Sequence, residues 1–277
     1  MSKVLNAELT AVLMSEASSG VTKDDFFVAA YEAGAENPSL PTWASKRPNL
    51  AALATTAPAP AAVTRRDLEQ VPAAFQLLNV LSHEECRRLI ALSETLGFLP
   101  DAAVSLPRHI RHNDSLTWVV DEQTDGLIWQ RVAHLMTDTG DIFQGKAALG
   151  INARFRFYRY QQDDYFKPHS DGSWPGSRVI GEQLMANAYP DRYSQMSFLI
   201  FLSEDFDGGA TRFLVNAGQP QQPARRGDPV REVDIRTPTG SILCFPHGMH
   251  PLHCIHSSEP ISRGVKYIIR SDVLFEL

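Results

Sequence analysis

The chain predicts a mainly β protein with flanking helices, its core a sandwich or barrel of jelly-roll type. Three observations carry that expectation. From residue 150 onward, short β segments follow one another between turn signals with no further long helix. Before that point, apolar residues recur at intervals of three and four, the period of an amphipathic helix. The 277 residues, 43% hydrophobic and 21% charged, suit one large globular domain, or one domain with an appendage.

In chain order, Val4, Leu5, Leu9, Val12 and Leu13 have helical spacing. Thr22 with Asp24 and Asp25 predicts a second short helix running through Phe26, Phe27 and Tyr31. Residues 37–63 turn Pro-, Ala- and Thr-rich, as linkers and surface straps do. Residues 1–64 are therefore expected to be an N-terminal helical extension with a linker, and 65–277 the main domain, with supporting helices in 83–138 and the β core in 150–277. Ser82 followed by Glu84 and Glu85 reads as a helix start, with Cys86, Leu89, Ile90 and Leu92 inward and Gly97 as the stop. A further helix is expected over 122–138, with Leu127, Ile128, Val132, Leu135 and Met136 apolar.

The β segments follow. Residues 153–160 (ARFRFYRY) alternate, so Arg154, Arg156, Tyr158 and Tyr160 share one face, and Phe155 and Phe157 the other. Residues 165–171 (YFKPHSD), 196–202 (MSFLIFL), 210–215 (ATRFLV), 241–245 (SILCF), 252–256 (LHCIH) and 265–275 complete the set. The nearly continuous apolar run at 196–202 fits a strand buried on both faces. Residues 172–195 and 216–231 interrupt the pattern as long loops; the first, adjoining the His-Ser-Asp run, is the expected substrate lid.

A net charge of -6 leaves no basic excess to neutralise phosphates, which argues against a general nucleic-acid binder. Three cysteines, Cys86, Cys244 and Cys254, suit a reducing compartment better than a disulfide framework. Without a signal-type apolar core or a membrane-length apolar run, the expected location is cytoplasmic.

The chemistry concentrates at His169-Ser170-Asp171. In extended chain, residues two apart point the same way, so this imidazole and carboxylate share a side. With one distant histidine they make the 2-His-1-carboxylate set that holds non-haem Fe(II) and leaves positions open for substrate and O2. The stretch FPHGMHPLHCIH offers His247, His250, His253 and His256. A basic residue stands ten positions after each of the last two, Arg263 after His253 and Lys266 after His256, so the interval leaves both open. A zinc site from these histidines and Cys254 is disfavoured, because neither nearby cysteine has a CxxC partner.

Together, His169-Ser170-Asp171, SFLIFLSEDFDGGATRFL, TGSILCF and the run from His256 to Lys266 resemble the prolyl 4-hydroxylase-like 2-oxoglutarate/Fe(II) dioxygenases over about 153–277. The resemblance implies a double-stranded β-helix (jelly-roll, cupin-like) core. It implies His169, Asp171 and His256 as iron ligands, with Pro260 and Gly264 at the family's positions favouring His256 over the alternate His253. It implies Lys266 as partner of the distal carboxylate of 2-oxoglutarate, Tyr160 assisting it, and Ser197 as a second hydroxyl donor where the family often has Thr. Fe(II), 2-oxoglutarate and ascorbate as reductant are the cofactors so implied. An acidic third ligand, where halogenating relatives have a small residue, points to hydroxylation.

Strand parity supplies substrate candidates: Arg156 and Tyr158 beside Tyr160, Arg270 beside Lys266, and Trp174 and Arg178 on the lid. Arg270 is either an anchor for a substrate carboxylate or a structural arginine paired with a neighbouring one. A small molecule, such as an amino acid or other small acid, is the preferred substrate, a cytosolic protein side chain the alternative. A non-catalytic β-helix binding protein is disfavoured by the intact triad and Lys266.

Overall fold

A computed structural model of the chain describes residues 20–55, 63–103, 105–137 and 142–277. Strands β1 (Phe26–Glu32) and β2 (Leu40–Ser45) form an antiparallel pair, and β3 (Thr64–Asp67) and β4 (Phe75–Leu78) another. Helix α1 (His83–Leu96), strands β5 (Arg111–His112) and β6 (Asp114–Val119) and helix α2 (Glu122–Val132) follow. Then come β7 (Ala148–Ile151), β8 (Arg154–Tyr160) and β9 (Tyr165–His169), the hairpin β10 (Arg178–Ile180) and β11 (Gln183–Met185), and β12 (Arg192–Phe201). The remainder is β13 (Phe206–Gly208), β14 (Thr211–Asn216), β15 (Val230–Ile235), β16 (Ile242–Pro246), β17 (Ile255–Ser258), β18 (Ile261–Gly264) and β19 (Lys266–Glu276).

The winding is that of a double-stranded β-helix. The chain passes from β8 to β9, β12, β14 and β15, β16, β17 and β19, crossing from one sheet to the other at nearly every step. The large sheet therefore contains the order β8-β19-β12-β16, and the smaller one the order β15-β14-β17-β9. Alternation within each strand then sorts side chains between two cores. Phe155, Phe157, Phe198 and Ile269 pack outward with Leu89 and Ile128 of the helices. Tyr158, Tyr160, Leu199, Phe245 and Ile268 pack inward between the sheets.

The helices brace the outer face. Ser82 and Glu85 cap α1 reciprocally, and Gly97 ends it at φ 93°, a conformation that costs glycine no Cβ clash. Arg131 of α2 meets Glu85 at 2.7 Å with both side chains buried, tying the helices together. Cys86 lies in this core, and burial pushes its thiol up to about 12, so it is an inert packing residue.

Three expectations need correction. The helix expected from Thr22 is one 3-10 turn, Lys23–Asp25, after which Phe26–Glu32 extends as β1. Its acidic first turn is real, but the aromatic and β-branched residues that follow find partners on β2, which in turn runs parallel to β6 in the large sheet. The long loop at 172–195 contains the β10–β11 hairpin and the start of β12, and the 216–231 loop ends in β15, an edge strand. The helix over 122–138 is α helical to Val132, with a 3-10 turn at Ala133–Leu135. The helical spacing at residues 4–13 and part of the Pro/Ala-rich linker lie outside the described residues. No helix among the described residues is long and apolar enough to cross a membrane.

Candidate metal centre and anion pocket

His169 ends β9, and β17 pairs with β9 so that His256 stands directly opposite it. Asp171 lies two residues beyond the end of β9. Its carboxylate comes within 3.7 Å of His169 Nε2 and 3.8 Å of His256 Nε2. Among the described residues this is the one His/Cys/Asp/Glu cluster whose ligand atoms converge, all within 4.8 Å of one another. His169 Nδ1 donates to the Lys167 carbonyl at 2.8 Å, which leaves Nε2 with a free lone pair aimed at the cluster.

The ionisation states suit a divalent cation. Burial lowers the pKa of His169 and, with His169 beside it, takes His256 down to about 3. Burial opposes ionisation of Asp171, but Arg270 and the two imidazoles outweigh it and hold the carboxyl well below its usual range. Two neutral imidazoles and one carboxylate thus stand ready at neutral pH with no proton to displace.

Asp171 is fixed from behind. Ser197 Oγ donates to its Oδ2 at 2.6 Å, and Arg270 Nε lies 3.4 Å from the same oxygen. Ser197 is in turn 3.1 Å from Nδ1 of the fully buried His247, whose Nε2 meets Ser194 Oγ at 3.0 Å. This corrects the expected role of Ser197, which is not beside Lys266. Antiparallel pairing sets Ser197 opposite Asp272, six residues along β19 from Lys266, roughly 20 Å at a strand's rise.

A narrow cavity of about 30 Å³ joins the donors to Lys266, with Tyr158, Leu199 and Ile268 on its walls. Lys266 is 1% exposed, and its Nζ donates to the Gly209 carbonyl at 2.8 Å and to Ser258 Oγ at 2.9 Å. Its partner across β8–β19 is Tyr160, whose ring lies 5.1 Å from Nζ. Among the described residues no carboxylate comes within ion-pair distance of this ammonium, and burial, helped by Arg236, pulls its pKa down to about 7. Sequence reasoning missed Ser258 and Thr211, which line this end. Ser258 was legible: two residues after His256 on one strand, it shares that histidine's face.

The other candidates separate. Tyr158 lines the cavity beneath the Arg111 guanidinium, 4.2 Å from its ring centroid. Arg270 lines it too, but bridges Asp171 and Asp272, the latter at 2.9 Å, and so takes the structural reading. Arg156 is buried on the same face with Trp174 stacked on it at 4.6 Å. Arg178 lies outside the cavity, its guanidinium committed to Asp125 at 2.6 Å and the Tyr189 hydroxyl at 3.0 Å. His253 faces a separate cleft, and His250 bonds to the Ile142 carbonyl. Cys254 is buried, with its thiol pushed up to about 12.

No protein-family model and no curated protein matches this chain. Solved structures similar to it include the viral collagen prolyl hydroxylase of Paramecium Bursaria Chlorella virus-1 in complex with 2OG, at 14% identity and TM-score 0.46, covering 74% of this chain and 97% of that one. A prolyl-4-hydroxylase of Pseudomonas putida is similar at 16% identity and TM-score 0.45, covering 73% of this chain and 91% of that one. A Trichoplax adhaerens prolyl hydroxylase in complex with a hypoxia inducible factor peptide fragment is similar at 15% identity and TM-score 0.47, covering 73% and 83%. At these identities and scores, each residue's role here has to be read from this chain's own side chains.

Proposed function

We propose that the chain is a 2-oxoglutarate- and O2-dependent Fe(II) dioxygenase of the prolyl 4-hydroxylase-like family. It would hydroxylate an unactivated C–H of a small molecule, an amino acid or other small acid, and release succinate and CO2. The observation that carries the reading is that one cavity joins converging metal donors to a buried amine with no counter-charge among the described residues. At one end three donors converge in the protonation states a divalent cation requires. At the other a buried lysine has no counter-charge. A buried cation without an anion is costly, so the cavity is built for a ligand with an anionic far end.

His169, Asp171 and His256 would hold the iron, and Lys266 with Ser258 and Tyr160 the distal carboxylate of 2-oxoglutarate. When bound, iron and keto-acid supply the O2 activation and C–H oxidation. The protein's own work is placement: Lys167 orients His169, Ser197 orients Asp171, and Leu199 and Ile268 keep water from the keto-acid. Ascorbate as the reductant that keeps iron ferrous belongs to the same proposal. So does the assignment of 65–277 as the catalytic domain.

The test is anaerobic addition of Fe(II) and 2-oxoglutarate, read by the weak visible charge-transfer band of a chelated keto-acid. The band is expected in the wild type and in His253→Ala, and its loss is expected in His256→Ala and Lys266→Ala. Metal binding with no band in the wild type would overturn the reading.

A further inference from the structure

Among the described residues Arg156 has no hydrogen-bond or ion-pair partner. It is 7% exposed, yet it makes no hydrogen bond and no ion pair at contact distance with a described residue; Trp174 stacks on it at 4.6 Å, and Asp272 and Glu32 act on its charge only from further away. That is unlike the arginines around it. Arg154 pairs with Glu32 at 2.6 Å, Arg270 with Asp171 and Asp272, and Arg111 donates to Asn113 at 2.9 Å and to Ser105 at 3.1 Å. An arginine carries five N–H donors, and those of Arg156 are neither bonded to a described residue nor among the fully buried atoms without a partner, so they stay open to an incoming acceptor. Burial, with Arg270 adding to it, lowers its pKa to about 10, which still leaves it charged at neutral pH.

Its position gives the charge a purpose. Parity places Arg156 on the inward face with Tyr158 and Tyr160, and the register sets it opposite Arg270, whose Nε lies 3.4 Å from Asp171. Lys266 and Arg270 are four residues apart on β19, about 13 Å at a strand's rise. Arg156 therefore lies at the Asp171 end of this face, and Lys266 four residues along β19 from it. Around the metal donors the buried cations Arg111, Arg156, Arg270 and Lys266 outnumber the buried carboxylates Asp171 and Asp272. A divalent metal and a dicarboxylate cancel one another, so positive charge stays in excess, and among the described residues Arg156 is the one of these four cations that holds neither a carboxylate nor a hydrogen-bond acceptor.

We propose that Arg156, covered by Trp174, anchors a carboxylate of the primary substrate at the Asp171 end of the inward face, away from Lys266. The planar fork of a guanidinium takes a carboxylate through two parallel hydrogen bonds, which fixes orientation as well as position. Trp174 follows Asp171 by three residues, and its amide is pinned to Ser194 Oγ at 2.7 Å, so the cover and the metal ligand belong to one short, tethered segment. As a substrate anchor the site rests on the dioxygenase reading.

The test uses Zn(II)-loaded protein saturated with 2-oxoglutarate, titrated with N-acetylglycine and separately with N-acetylglycinamide, and followed by tryptophan fluorescence and calorimetry. The acid is expected to bind at least tenfold more tightly than the amide. Arg156→Gln is expected to erase that preference, Arg156→Lys to keep part of it, and Lys266→Met to retain it. Circular dichroism on each variant checks the fold, and Arg156→Lys carries the test if Arg156→Gln does not fold. Equal binding of acid and amide in the wild type, or an acid preference that survives in Arg156→Gln, would overturn the anchor. The dioxygenase reading fails separately: absence of 2-oxoglutarate binding with an intact acid preference would leave an anion site and remove its role in oxygenation.

Discussion

Ser197 reaches from the middle of β12 to Asp171 Oδ2 at 2.6 Å, so a hydroxyl of the large sheet fixes the carboxylate that follows a strand of the small one. The bond orients one of the three metal donors without touching the metal itself. Ser197→Ala is therefore expected to weaken divalent-metal binding about 10–100-fold, the usual effect of losing a group that orients a ligand. Titration with Co(II), read by its visible absorption, measures this. Unchanged affinity would show that Arg270 alone positions Asp171.

Lys266 gives 2-oxoglutarate binding a pH signature. Burial holds the free ammonium at about 7, and a bound carboxylate favours the charged form and raises that value. Binding then takes up a proton above pH 7. Affinity is expected to be flat below pH 7 and to fall toward tenfold per pH unit above it, as calorimetry in buffers of different ionisation enthalpy would show. Lys266→Met should abolish the slope and cost about 2–5 kcal/mol in 2-oxoglutarate binding.

The same lysine couples stability of the ligand-free protein to pH. Between about 7 and its unfolded value near 10.4 the unfolded chain holds a proton that the folded one has released. This group's contribution therefore rises with pH across that window. Urea midpoints at pH 7 and pH 9 test the sign, and saturating 2-oxoglutarate with metal should flatten the difference.

Glu85 and Arg131 form a buried pair that also accepts from Ser82 and Ala54 and donates to the Val80 carbonyl. Removing one partner strands the other charge. Glu85→Ala is expected to cost about 3–5 kcal/mol in urea unfolding. Metal affinity of the protein that remains folded should not change.

Gly208 sits at φ 76°, and a Cβ there would fall 2.2 Å from the Pro260 carbonyl oxygen. The next residue supplies the carbonyl that grips Lys266. Gly208→Ala should cost more than about 1–3 kcal/mol in stability, and the same variant should bind 2-oxoglutarate more weakly. Thermal unfolding and calorimetry report the two effects separately.

What the sequence determined is what a single strand or helix turn can encode. Period-two alternation in RFRFYRY set Arg156, Tyr158 and Tyr160 on one face, and the residues around Ser82 and Glu85 marked the start of α1. The His-Ser-Asp spacing puts two donors on one side of an extended chain without any tertiary contact. What the tertiary structure decided is which strands lie side by side and in what register. Packing of the small sheet on the large one puts Ser258 of β17 within reach of Lys266, while the register of β12 on β19 sets Ser197 six residues away. Packing commits Arg178 to Asp125, and it turns Phe26–Glu32 from an expected helix into a sheet edge by giving it β2 as a partner. A local pattern fixes the side of an element on which a residue lies. Only the long-range pairing of strands fixes what it meets there.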